Sequence, residues 1–312
     1  MKKKRRLIFL FVFLMLICIG CVQKERKVEE EESSAKICLG MSLYSLRDEY
    51  TKRFANVVIQ YAKAENIELK IYDGNYDAAR QITQVEEMIK ADLDGIILIP
   101  QNANECIPCV DKAVAAGKPI ISVNTRVNSD EITSYVGSDD VQAGEYLMEY
   151  VAQTLEGKGN IVILEGPMGQ SAQIERMEGI KNILTQYPEI KVIGSKTANW
   201  SRLEADVVMQ SWMETFDQID AVVAENDDMA LGAIDALGRN GQEVVVVGID
   251  GAEKALRAIE EKKLLATVFQ NAEKQGEKSI EIMLDYLEGK EIDKNYQIPL
   301  EIVDERNIAD YL

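Results

Sequence analysis

The sequence predicts an α/β protein made of two doubly wound parallel-sheet lobes. Three observations predict it. Short apolar runs alternate with amphipathic stretches along most of the chain. The apolar runs are nearly continuous rather than alternating, which marks strands covered on both faces by helices. There are about ten such runs, too many for one tidy sheet of the flavodoxin type.

The first elements are not part of that rhythm. Lys2-Lys3-Lys4-Arg5-Arg6 is a compact basic cluster, Leu7 to Ile19 is unbroken apolar sequence, and Gly20-Cys21 follows. A basic start, an apolar core and a small residue at its end make a secretory signal. The apolar run is shorter than the roughly 20 residues that span a bilayer as a helix. The Gly-Cys ending resembles a bacterial lipoprotein signal, in which the cysteine is acylated and becomes the new N-terminus. Cys18 stands where that motif usually has an aliphatic residue. An uncleaved signal anchor is the alternative. Both readings place residues 22–312 outside the cytoplasmic membrane and near its surface. Val22 to Ser34 carries Glu29-Glu30-Glu31-Glu32 and too little apolar sequence to fold, so it reads as a tether.

From residue 37 onward, strands are expected at 37–42, 68–72, 95–99, 119–123, 160–164, 191–194, 221–224, 244–248 and 265–269. Helices are expected at 49–64, 78–91, 104–116, 141–155, 174–186, 202–215, 229–237, 254–262 and 275–287. The rhythm breaks at 134–140, where a short strand, Tyr135-Val136-Gly137, meets Ser138-Asp139-Asp140. The crossing between lobes belongs there.

Composition narrows the function. The net charge is −18, and five of the basic residues belong to the leader. Such an acidic body repels phosphate backbones and anionic lipid, which argues against nucleic acid and leaves the anchor as the membrane contact. There is no histidine, so Ser-His-Asp and Cys-His catalysis and His-ligated zinc are excluded. Cys38 reads as a small buried hydrophobe. Cys106-Ile107-Pro108-Cys109 has dithiol spacing near a helix start, with two small helix residues or a local disulfide as the plainer readings. Neither the dinucleotide fingerprint nor a P-loop occurs, and no cofactor is expected.

Ligands of open parallel sheets bind beyond the carboxyl ends of the strands. Those positions hold Tyr44, Asp48 and Tyr50 after the first strand and Asn124 after the fourth. Further on stand Arg176, Trp200, Asn226-Asp227-Asp228, Asp250 and Gln270. Carboxylates and amides engage hydroxyls, and flat aromatic faces pack on the C–H faces of a ring, so the set suits a small neutral sugar or polyol. An anion would call for several cations, and only Arg176 recurs. Taken singly, such Asn and Asp residues also serve as turn formers and helix caps.

Several spaced stretches resemble the sugar-binding family of type I periplasmic binding proteins, the ribose, galactose/glucose and inositol receptors of ABC importers. They are Tyr135-Val136-Gly137-Ser138-Asp139, Leu164-Glu165-Gly166-Pro167, Ser171 through Glu175-Arg176 with Gly179, and Thr197-Ala198-Asn199-Trp200. The stretches Asn226-Asp227-Asp228-Met229-Ala230-Leu231-Gly232-Ala233, Val246-Val247-Gly248-Ile249-Asp250-Gly251 and Ala266-Thr267-Val268-Phe269-Gln270 complete them.

The resemblance implies two lobes joined by a three-strand hinge, with the ligand in the interlobe cleft. It puts the first lobe at 36–138 plus 271–299 and the second at 139–270 plus 300–312, behind a signal peptide at 1–20 and a lipid-anchored tether at 21–35. It makes Asp48 and Tyr50 the first loop's polar contact and stacking aromatic, and Asn124 the contact after the fourth strand. Arg176 becomes the second lobe's guanidinium contact and Trp200 its stacking aromatic, with Asn226, Asp250 and Gln270 as polar contacts. Tyr44, Thr51 and Thr125 are further candidates. Asn124 stands where ribose and inositol receptors usually have Asp, and Thr125 where they have Arg. Gln170 and Ala172 stand where the galactose/glucose group has a histidine and an acidic residue.

The implied function is hinge-closing capture of a monosaccharide or cyclitol by a monomeric lipoprotein, and delivery to an ABC permease. Presentation of the sugar to a membrane kinase or chemoreceptor is the alternative. A secreted carbohydrate-active enzyme using Asp227 and Asp228 is a third possibility, without an independent acid-base signature.

Overall fold

The computed structural model describes residues 36–241 and 244–312. The leader, Cys21 and the tether lie outside the described residues. Among the described residues no helix is long and apolar enough to cross a membrane.

Two six-stranded sheets form the frame. The first contains β1 (Cys38–Leu43), β2 (Glu68–Asp73), β3 (Gly95–Ile99), β4 (Ile120–Val123), β5 (Ser134–Gly137) and β11 (Asn295–Gln297), in the order β11-β5-β4-β3-β1-β2. All its pairings are parallel. The second contains β6 (Lys158–Glu165), β7 (Glu189–Thr197), β8 (Ala221–Ala224), β9 (Val245–Asp250), β10 (Ala266–Gln270) and β12 (Leu300–Asp304), in the order β12-β10-β9-β8-β6-β7. Here β12 runs antiparallel to β10, so this sheet is mixed at one edge.

Burial explains the pattern. β3, β4 and β8 sit inside their sheets and are buried at every residue, as continuous apolar runs require. β2 and β7 are edges and alternate less cleanly. β6 opens with the polar Lys158-Gly159-Asn160 and β7 closes with Ser195-Lys196-Thr197, so both extend beyond the apolar runs visible in sequence. β11 and β12 escaped the sequence reading because Asn-Tyr-Gln and Leu-Glu-Ile-Val-Asp are short and half polar.

Helices α1 (Glu49–Ala64), α2 (Ala78–Lys90), α3 (Ile107–Ala115) and α9 (Ala272–Leu287) serve the first sheet. Helices α4 (Asp140–Thr154), α5 (Ser171–Leu184), α6 (Arg202–Thr215), α7 (Asp227–Asn240) and α8 (Glu253–Glu260) serve the second. Several begin earlier than their apolar stripes suggest, because polar caps start them. Asn226 Oδ1 accepts from Met229 N at 2.9 Å, and Asn271 Oδ1 from Lys274 N at 2.9 Å.

The chain passes between the sheets three times: after β5, after β10, and between β11 and β12. The carboxyl ends of β1, β4, β6, β8, β9 and β10 therefore face a common cleft.

Candidate functional site

Backbone packing sets the second-half wall of the cleft. A Cβ on Gly144 would lie 2.1 Å from Arg176 O, and one on Gly179 would lie 2.0 Å from Val141 O. Helices α4 and α5 thus touch backbone to backbone, which brings Asp140 under Arg176. Arg176 Nε donates to Asp140 Oδ1 at 2.8 Å, with both side chains 3% exposed. Its Nη1 donates to Glu225 O. Burial opposes the charge on Arg176, but Asp140 and Asp250 outweigh that and raise its pKa. The guanidinium carbon lies 5.4 Å from the centre of the Trp200 ring, within cation–π range.

Trp200 is held in an unusual backbone conformation, with φ 58°. That region is costly for a bulky residue. The space above Gly166 accommodates the ring, since a Cβ there would lie 2.1 Å from Trp200 Cη2 and Cζ2. The indole Nε1 donates to Gln170 Oε1 at 2.6 Å. Two other cleft residues have positive φ, Asn124 at 62° and Asp250 at 132°. Backbone strain of this kind gathers at functional sites.

Tyr44, Asp48, Tyr50, Asn124, Arg176, Trp200, Asn226, Asp250 and Gln270 line one small cavity, together with Gln170 and Ala172. All nine sequence candidates are brought together. None is more than 7% exposed, so the cleft is closed. The lining side chains leave only about 10 Å³ free, about the room of one water molecule.

Bonds across the cleft hold it shut. Asn124 Nδ2 donates to Gln270 Oε1 at 2.9 Å, and Gln170 Nε2 to Pro100 O at 3.1 Å. Ala103 N donates to Gly169 O at 2.9 Å, and Arg53 Nη1 to Gly251 O at 3.1 Å.

The cavity is rich in acceptors. Burial raises the Asp48 carboxyl to about 6. It pushes Asp250 well above the usual carboxylate range, with Arg176 pulling the other way. Gln270 Nε2 donates to Asp250 Oδ1. Tyr50 donates its hydroxyl to Gln275 Oε1 at 2.6 Å and so presents its ring to the cavity's edge with its polar tip already partnered.

Asp48 and Asn226 have two roles. Asp48 caps α1 through Thr51 N at 3.2 Å, and Asn226 caps α7. Both also line the cavity. Thr51 and Thr125 do not line it: their hydroxyls go to the backbone, Thr51 to Ser45 O and Thr125 to Pro100 O at 3.1 Å.

Asp227 is fixed as structure, accepting from Thr267 Oγ1 at 2.7 Å and Ala252 N at 2.8 Å. Cys106 and Cys109 are buried thiols in the first half, with no disulfide between them. Among the described residues no cluster of three or more His, Cys, Asp or Glu side chains could hold a metal ion.

Sequence reasoning named Gln170 and Ala172 only as departures from a pattern, and did not assign Asp140 or Glu225 to the site. Asp140 had a visible signal, its place just past the short fifth strand. Glu225 had none beyond adjacency to Asn226.

A family model described as "Periplasmic binding protein domain" matches residues 39–291. A xylitol-binding protein of Mycolicibacterium smegmatis is 45% identical over 215 residues, covering 68% of this chain and 61% of its own length. The match therefore spans less than two thirds of that relative. A solved ABC transporter solute-binding protein from Bacillus halodurans, with bound myo-inositol, is 36% identical with TM-score 0.86, covering 90% of this chain and 98% of the other. The fructose-binding periplasmic domain of a hybrid two-component system is 30% identical with TM-score 0.84, covering 88% and 92%.

Proposed function

The chain belongs to the periplasmic binding protein family, and on that premise we propose that it captures a small uncharged sugar or polyol outside the cytoplasmic membrane and delivers it to an ABC permease. The observation that carries the reading is the acceptor-rich closed cavity, lined from both halves by Asp48, Asn124, Asp250 and Gln270 around three aromatic residues. A ligand with a hydrogen on every oxygen matches that lining. A carboxylate-bearing sugar does not, because Arg176 is already committed to Asp140 and burial already disfavours negative charge in the cavity, as the raised Asp48 and Asp250 show.

Within this class the reading favours cyclitols and alditols. Its support is the likeness to a xylitol-binding relative and to a myo-inositol complex. The nine candidate residues are the proposed ligand contacts, and no catalytic residue is assigned. The family's proteins bind solutes and are not enzymes.

The two halves are the proposed moving lobes of a monomer, at 36–138 plus 271–299 and 139–270 plus 300–312. A ligand touching both favours the closed state by its differential affinity. Cys21 is the proposed lipidation site, holding the protein on the outer face of the membrane behind a cleaved signal. Cys21→Ser would release the protein or leave it unprocessed; unchanged lipid labelling would remove that assignment. A second reading, ligand presentation to a membrane sensor kinase, is favoured by the likeness to the two-component fructose domain.

The test is a thermal-shift screen against myo-inositol, xylitol, ribose, fructose, galactose and galacturonate. A ligand that binds the folded state raises the melting temperature with its concentration. The expected result is a shift with at least one neutral polyol and none with galacturonate. No shift with any neutral member would overturn the ligand class.

A further inference from the structure

Gln170 stands just before α5 and is 1% exposed. Both ends of its side chain are used. Oε1 accepts from Trp200 Nε1 at 2.6 Å within the second half, and Nε2 donates to Pro100 O at 3.1 Å in the first. The partners fix the orientation of the amide. An indole N–H can only donate and a backbone carbonyl can only accept, so neither bond survives a flip. A carboxylate could serve Trp200 but not Pro100.

The geometry couples two events. The amide is planar, so its two ends turn together. Its terminal torsion is soft when nothing holds it, as for other sp³–sp² torsions. Separation of the halves removes Pro100 and frees Nε2. Oε1, and with it the partner of the indole, is then no longer fixed from the far side. Trp200 needs such support, because its backbone is in the left-handed region and its ring lies over a glycine that offers no side chain to hold it.

We propose that Gln170 is a positioning residue that makes the orientation of the Trp200 ring depend on closure of the cleft. The aromatic wall of the site is completed by the same movement that encloses the ligand. This rests on the reading of the cleft as a polyol site only in its ligand-binding arm.

The test uses a Trp212→Phe background, in which Trp200 is the only tryptophan. Acrylamide quenching of Trp200 is measured without ligand at about pH 8 and about pH 5, and dissociation of myo-inositol and xylitol is measured at both. Gln170→Leu should raise quenching severalfold and speed dissociation by about tenfold, the effect of losing one or two buried hydrogen bonds. Gln170→Glu, nearly the same size, lacks a donor for Pro100 when ionised. It should show faster dissociation and greater quenching at about pH 8. Both should return toward the parent at about pH 5, because the site is buried and burial raises a carboxyl above its ordinary value of roughly 4.3, so that the new side chain is protonated there and donates again.

A residue that only fills space would give a variant-to-parent ratio independent of pH. That result for Gln170→Glu overturns the coupling, and parent-like quenching in Gln170→Leu overturns the positioning. If neither polyol binds the parent, the functional reading fails, and the ligand-free quenching series still decides the assignment of Gln170.

Discussion

Asn124 and Gln270 join the two halves of the protein through a single amide-to-amide bond of 2.9 Å. The bond continues a chain, since Gln270 in turn donates to Asp250. Asn124 follows β4 of the first sheet, and Gln270 ends β10 at one of the three crossings between sheets. The main-chain carbonyl of Asn124 accepts from the Tyr135 hydroxyl at 2.8 Å, so Asn124 is tied both to its own sheet and to the opposite one.

Gln270→Ala should therefore weaken polyol binding by about tenfold or more, by leaving Asn124 and Asp250 short of partners in the closed state. The unliganded protein should keep its melting temperature within a few degrees, because opening the cleft gives both groups to water. Calorimetric titration beside a thermal melt distinguishes the two effects. A large loss of stability with unchanged affinity would show that the bond serves folding and not closure.

Arg176→Ala should cost both binding and stability. It leaves Asp140 buried without its cation, a change of about 3–5 kcal/mol in comparable buried pairs. Arg176→Met combined with Asp140→Asn should recover most of the stability and none of the binding. Recovery of affinity in the double variant would take the guanidinium out of the ligand site.

Gly166→Ala should act like a partial loss of Trp200. The added methyl would meet the indole at 2.1 Å, so the ring must move. Affinity should fall while the melting temperature changes little, and in a Trp200→Gly background the alanine should have no further effect. Independent, additive losses would show that the two do not act through one contact.

Acid should stabilise the ligand-free closed protein. Burial raises Asp48 and Asp227 to about 6 and Glu175 to about 7. A carboxyl with a raised folded pKa binds protons more tightly when folded. Its contribution is fully present below the unfolded value near 4 and is lost as pH rises through about 6 to 7. Urea midpoints should therefore be higher at about pH 5 than at about pH 7.5. Asp48→Asn should flatten part of that slope. A midpoint that rises toward neutral pH would contradict the burial of these groups.

The framework was legible because burial on both faces writes itself as unbroken apolar sequence, as in Gly95–Ile99 and Ala221–Ala224. The parts that escaped are those whose position depends on distant partners. β11 pairs with β5 and β12 with β10 through main-chain bonds that their side chains do not advertise.

The cleft residues were visible as strand-end polar groups. Which of them also cap helices was not, since Asp48 and Asn226 satisfy both descriptions. Gln170 was visible only as a departure from a pattern, because its two bonds lie 30 and 70 residues away in sequence. Thr51 and Thr125 show the converse. Polar side chains beside the right loops turned to the backbone instead.

The left-handed backbone at Asn124 and Trp200 and the extended positive φ of Asp250 bear on how this protein can change its diet. A randomised library at these three positions would be thinned before any ligand was offered. Valine, isoleucine and threonine fit such conformations worst, and asparagine, aspartate and glycine best. New specificities should therefore be reached first through positions of ordinary backbone, such as Ala172, with these three acting as a fixed last on which different linings are shaped.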